Sequence, residues 1–108
     1  MSTINFKDFQ KLDLVVGKIE AAEKVPNTDK LVKLSINIGS ETRTFVAGIA
    51  DVYDVKKLKG KSVVVLTNLE PKMLKGIESK GMILAAIQDG KPALLTVDKE
   101  VEPGSKVM

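Results

Sequence analysis

The stretch NLEPKMLKGIESKGMILAA, Asn68 to Ala86, decides how this chain is read, because it is not one secondary-structure element. An apolar, β-branched run (Val63-Val64-Val65-Leu66) precedes it, and a second apolar run (Met82-Ile83-Leu84-Ala85-Ala86-Ile87) closes it. Between them lie Pro71, Gly76, Gly81, Ser79 and three lysines, Lys72, Lys75 and Lys80. Two short apolar runs flanking Gly, Pro and charge read as two strands joined by a long displayed loop.

Working outward, residues 13–22 (DLVVGKIEAA) read as a first strand, with Gly17 as a bulge or bend. Residues 24–29 (KVPNTD) are turn formers. Residues 31–38 alternate, with Leu31, Lys33, Ser35 and Asn37 on one face and Val32, Leu34, Ile36 and Ile38 on the other. Gly39-Ser40 turns the chain into a partner over 42–47. Residues 51–58 are a short helix candidate ended by Gly60, 62–66 a fourth strand and 82–88 a fifth. Asp89-Gly90 then signals a hairpin returning over 93–97. Three strands, a short helix and two more strands is the order of the all-β OB-fold, a five-stranded Greek-key barrel. Its strand 1–2 and strand 4–5 loops bind oligonucleotides or oligosaccharides; here they are VPNTDK and EPKMLKGIESKG. Segments at both termini are extra to the barrel.

Composition sets the outer bounds. The 108 residues, 44% hydrophobic and 29% charged, suit one soluble globular domain over 1–108. No apolar run approaches the roughly 20 residues of a membrane span, and MSTINFKDFQKLD has no signal-peptide core. The absence of cysteine removes disulfides and thiolate chemistry and points to the cytosol. The absence of histidine removes Ser-His and Cys-His pairs, imidazole bases and ordinary zinc sites. The acids are scattered; Asp98, Glu100 and Glu102 alternate near the C-terminus and make a poor magnesium site. Gly60-Lys61-Ser62 resembles the tail of a phosphate-binding P-loop, but position 55 is Val55, and a β-branched run follows where a helix is required. No catalytic residue, cofactor or metal is expected.

Charge is unevenly placed. Residues 1–54 hold seven basic and eight acidic side chains, residues 55–81 seven and two, and residues 82–108 three and four. The whole positive excess therefore falls in the quarter that contains the opening loop, as a polyanion-binding face requires. Taken alone, Lys56, Lys57, Lys59 and Lys61 read better as a solvated surface.

Four separated motifs carry a family resemblance: FxKxDLxVGxI at Phe9–Ile19, PNxDKL at Pro26–Leu31, RTxVAGI at Arg43–Ile49, and the opening stretch, where Lys72 directly follows Pro71. Together with PGSKV at Pro103–Val107 they make the chain resemble the tRNA-binding domain family from Phe6 to Lys106. That family includes the C-terminal appendix of methionyl-tRNA synthetases, free-standing dimeric tRNA-binding proteins and cytokine-precursor cofactors of synthetase complexes. The resemblance implies an OB barrel gripping tRNA by shape and backbone near the elbow, a homodimer built from segments outside the barrel, and a tie to methionyl-tRNA synthetase. By motif position it implies Lys30, Arg43, Asn68, Lys72, Lys75, Ser79 and Met82 on or near the RNA face, and the loop charge adds Lys80. Many members have Arg in DLRVG and His before PNADKL; this chain has Val16 and Val25.

The residues themselves agree with shape recognition. Of four aromatics, Phe6, Phe9 and Phe45 sit in apolar surroundings and read as core, leaving Tyr53 to stack. A single-strand-binding face needs more platforms than that. Lysines instead supply charge to phosphates, and Asn68 and Ser79 are able to hydrogen-bond a 2′-hydroxyl. Each has an ordinary alternative: Asn68 ending strand 4, Ser79 satisfying a loop carbonyl, Met73 and Met82 in the core, and Leu74 and Ile77 anchoring the loop. The functional expectation is noncatalytic, largely sequence-independent tRNA binding. A peptide-binding export chaperone of similar dimeric fold is the alternative, and a small hydrolase is disfavoured by the missing His and Cys.

Overall fold

The computed structural model describes residues 2–108. Its centre is a five-stranded antiparallel sheet rolled into a nearly closed barrel, the OB-like fold expected from the element order. The first strand, β1 (Leu14–Lys24), is long enough to serve two partners. Its first half pairs with β4 (Ser62–Leu66), from Leu14↔Leu66 to Lys18↔Ser62. Its second half pairs with β2 (Leu31–Asn37), from Lys18↔Asn37 to Lys24↔Val32. β2 in turn pairs with β3 (Thr42–Gly48).

The bulge in β1 falls between Ile19 and Ala21, at Glu20, and not at Gly17 as the sequence suggested. Gly17 serves close approach instead, because a Cβ there would stand 2.5 Å from Cγ2 of Ile36. Alternation in β2 is as read: Val32, Leu34 and Ile36 are each fully buried. They meet Ile19, Phe45, Leu58, Val63 and Val65 in one core, where burial of each large side chain contributes about 1.5–3 kcal/mol. Val16 and Val64, cross-strand partners, are also buried but lie outside that core cluster. Gly104 and Ser105 bond the backbone of Val16, and Leu95 that of Val64.

Three expected elements differ in extent. The helix candidate over 51–58 is only a 3₁₀ turn, Val55–Lys57. Asp54 caps it through Lys56 N–H, and Leu58, just past its end, is fully buried in the core. The expected fifth strand divides. β7 (Met82–Ile83) pairs with β4 and completes the barrel, while β8 (Ala85–Gln88) leaves it to pair with β9 (Lys91–Leu94). The return strand begins at Lys91, earlier than the expected 93, because Asp89 (φ 53°) and Gly90 (φ 75°) make a two-residue turn that fixes the register. The strand 4–5 loop contains a hairpin of its own, β5 (Lys72–Leu74) and β6 (Ile77–Ser79).

A short helix, α1 (Phe6–Gln10), precedes the barrel and was not read from the sequence. Its signal was present: Asn5 accepts from the Asp8 N–H at 2.8 Å, an N-cap. None of its residues is buried. Phe6, expected in the core, is 70% exposed, whereas Phe45 fulfils the same expectation at 0%.

Candidate nucleic-acid interface

The barrel is closed by polar contacts around β3, and these hold the cationic loop in place. Lys80 N–H donates to the Thr44 carbonyl at 3.1 Å. Val46 N–H donates to Ser79 Oγ at 3.0 Å, and that hydroxyl lies 3.2 Å from the Gly81 carbonyl. Ser79 is only 4% exposed, so it does not reach the surface; its hydroxyl joins β6 to β3. Gly81 then passes tightly over the core with φ 143°, where a Cβ would meet the Leu66 carbonyl at 2.5 Å and the Phe45 ring at 2.6 Å.

Arg43 is similarly engaged. Its guanidinium donates to the carbonyls of Thr67 (2.7 Å) and Lys80 (3.2 Å), the two ends of the loop, and pairs with Glu41 at 3.0 Å. A planar fork with five donors suits such a multipoint clamp, which a lysine would not reproduce. Asn68 is exposed, yet both halves of its amide are committed. Oδ1 accepts from Asp13 N–H at 2.9 Å and Nδ2 donates to the Lys11 carbonyl at 2.6 Å. The loop that begins at Asn68 is thereby tied to the segment between α1 and β1.

Beside this tie, Asp13 accepts from the Thr67 hydroxyl and pairs with Lys106 Nζ at 3.0 Å. The Thr67 hydrogen bond first, and then Lys106, hold its carboxyl below the usual carboxylate range. The C-terminal segment lies along the other edge of β1: Gly104 N–H reaches Val16, and Val107 N–H reaches Leu14.

The remaining candidates face solvent. Lys72 opens β5, Lys75 occupies the hairpin turn and Lys80 follows β6, all exposed. Lys80 pairs with Glu78 at 3.6 Å and Lys30 with Asp51 at 3.9 Å. Among the described residues Lys72 and Lys75 make no ion pair. Lys30 precedes β2, at the far end of the β2–β3 ladder from Arg43. Met82 and Met73, weighed for the core, are 51% and 62% exposed.

The hairpin separates two hollows. One is polar, about 460 Å³, and lies between the hairpin and β3, with Lys33, Arg43 and Lys80 set among Glu41 and Glu78. The other is largely apolar, about 690 Å³, and runs between β3 and the β8–β9 hairpin past Leu69, Leu74, Met82, Ile87 and Leu95. No sequence signal marked the second hollow, because its walls come from segments far apart in the chain.

The basic quarter of the sequence is not one patch. Lys56 and Lys57 lie in the 3₁₀ turn and Lys59 and Lys61 follow it, where Lys61 and Gly60 bond Ile19 at the start of β4. The cationic hairpin leaves from the other end of that strand, about 13 Å away at ~3.3 Å per residue. Tyr53 is no stacking platform: its ring packs against the core, and its hydroxyl accepts from Leu94 N–H at 2.9 Å. Among the described residues no three Asp, Glu, His or Cys gather as metal ligands, and no helix is long and apolar enough to cross a membrane.

The family described as "Putative tRNA binding domain" matches residues 14–106, the entire barrel with its closing segments. The chain belongs to the tRNA-binding domain family. Methionine–tRNA ligase of Archaeoglobus fulgidus is 56% identical over 104 residues, 96% of this chain but only 16% of the ligase. This tRNA-binding domain thus spans about a sixth of the length of the curated relatives it matches. A MetRS related protein from Pyrococcus horikoshii superposes with TM-score 0.94 at 40% identity, covering both chains completely. The chaperone CsaA from Bacillus anthracis has the same fold, with TM-score 0.90 at 29% identity over 99% of this chain and 100% of its own.

Proposed function

We propose that residues 1–108 form a single noncatalytic module that binds tRNA by shape and backbone, with little preference for sequence. The observation that carries this reading is the β5–β6 hairpin, an arm hydrogen-bonded to β3, bearing Lys72 and Lys75 and followed by Lys80, on a barrel of the tRNA-binding domain family. In this reading Lys30, Lys72, Lys75 and Lys80 meet phosphates, and Met82 offers apolar contact beside them. Arg43, Asn68 and Ser79 act from beneath, holding the loop at both ends and at its β6 strand. Phosphate charge with few aromatic platforms suits structured RNA better than a single strand.

The likeness to methionine–tRNA ligases supports a role as the appended or trans-acting C-terminal module of that enzyme in the cytoplasm. There it would raise the local tRNA concentration and need no chemistry of its own. Exposed apolar side chains outside the barrel (Ile4, Phe6, Ile87 and Leu95) support a homodimer.

The test is a titration with unfractionated tRNA, poly(U) and an unfolded peptide at two salt concentrations. Salt-dependent preference for folded tRNA is expected. Peptide binding with indifference to tRNA would overturn the reading in favour of a chaperone using the apolar groove.

A further inference from the structure

The turns of the two small hairpins differ in one residue that matters. Both have two-residue loops with left-handed backbone at each position: Asp89 (φ 53°) and Gly90 (φ 75°) in one, Lys75 (φ 50°) and Gly76 (φ 81°) in the other. Such turns favour Asn, Asp or Gly at the first position, because a short polar side chain or none relieves the crowding of Cβ against the backbone. The β8–β9 turn obeys this rule. The β5–β6 turn breaks it with a long side chain that gains nothing from the geometry.

Among the described residues no acid compensates Lys75. It is exposed at the tip, with no carboxylate within salt-bridge distance among the described residues. Lys30 and Lys80 are each already beside an acid, so a phosphate reaching them must compete with Asp51 or Glu78. Lys72, like Lys75 without an ion pair among the described residues, stands at the start of β5 and not at the tip. A phosphate reaching Lys75 displaces only water and small counterions.

We infer that the β5–β6 turn gives up hairpin stability to carry an uncompensated cation at its tip, and that Lys75 is a principal phosphate contact of the arm. This rests on the tRNA-binding reading and deepens it. A strained residue with a ligand-facing charge is one way a site stores a local cost for a functional gain.

Lys75→Asn tests both halves at once, with Lys75→Arg as the charge-preserving control. Lys75→Asn should slow amide exchange across Lys72–Ser79 by about twofold to fivefold, since asparagine accepts the left-handed conformation. It should also weaken tRNA binding about threefold to tenfold at low salt and reduce the slope of log K against log salt by about 1. Lys75→Arg should keep wild-type affinity and slope. Slower exchange with unchanged tRNA affinity would overturn the inference while leaving the function standing. Weaker binding with no gain in protection would also overturn it, since the turn would then carry no cost. Failure of the wild-type chain to bind tRNA would remove the functional reading itself, and the inference with it.

Discussion

Replacing Ser79 by alanine separates a residue that builds the interface from one that touches the ligand. The Ser79 hydroxyl accepts from Val46 N–H at 3.0 Å and reaches the Gly81 carbonyl at 3.2 Å, from a site only 4% exposed. Alanine leaves a donor on β3 and an acceptor beside β7 without their partner. A buried group so abandoned costs about 1–3 kcal/mol, and partial access of water to both backbone groups argues for the low end, about 2 kcal/mol in total. For a chain of this size that lowers Tm by roughly 8–16 °C. Thermal unfolding followed by circular dichroism measures the loss, and a tRNA titration well below the new transition measures binding. We expect the Tm to fall and the affinity of the folded fraction to stay within about twofold, less than the loss of a direct hydrogen bond to the RNA would cause. An unchanged Tm together with a collapse of tRNA affinity would refute the reasoning, because the hydroxyl would then have to face the RNA.

Three further outcomes are expected. If about 4–6 phosphates are neutralised, log K for tRNA against log salt should slope near −3 to −5. Changing Lys72, Lys75 and Lys80 together to alanine should flatten it by about 2–3 for all tRNAs alike, and filter binding across a salt series would expose an unchanged slope. Gly81→Ala should destabilise by at least about 2 kcal/mol, since the methyl meets the Leu66 carbonyl and the Phe45 ring in a left-handed backbone. Gly76→Ala, with φ 81° but nothing within 4 Å, should cost less in the same denaturant titration. Asp13 has a depressed carboxyl pKa in the folded chain, so its contribution is present above the ordinary value of 3.8 and lost as pH falls below it. Acid unfolding should therefore be shallower for Asp13→Asn below pH 3.8, with some stability already missing at neutral pH; parallel acid curves would contradict the assignment.

Much of the barrel was legible in advance because strand burial follows a period of two. Val32, Leu34 and Ile36 could be assigned to the core from alternation alone, and they are fully buried. Asp89-Gly90 was legible as a turn because its conformation is intrinsic to two residues. The β5–β6 hairpin was missed because Lys75-Gly76 lacks the usual Asn or Asp and each arm has only three residues. The division of the expected fifth strand was equally hidden, since an unbroken apolar run does not say where a chain changes partners.

The site was legible as a composition and not as a set of roles. Motif position puts Arg43, Asn68 and Ser79 beside the lysines as candidates, with a structural alternative open for Asn68 and Ser79. The folded chain separates them: Ser79 is buried, Arg43 spans the two ends of the loop, and Asn68 holds the segment before β1. These are contacts across 24 to 57 residues, invisible to any local pattern.

What the sequence by itself determined is whatever depends on near neighbours and on residue inventory. It set strand periodicity, the turns, the chemistry excluded without His and Cys, and the net excess of lysine in one quarter of the chain. Only the tertiary structure decided how that excess is divided between the two ends of β4, which cations already have acidic partners, and which polar side chains are spent on closing the barrel. The reason is physical: charge and hydrogen-bonding capacity belong to residues, but whether they remain available to a ligand depends on distances set by the fold.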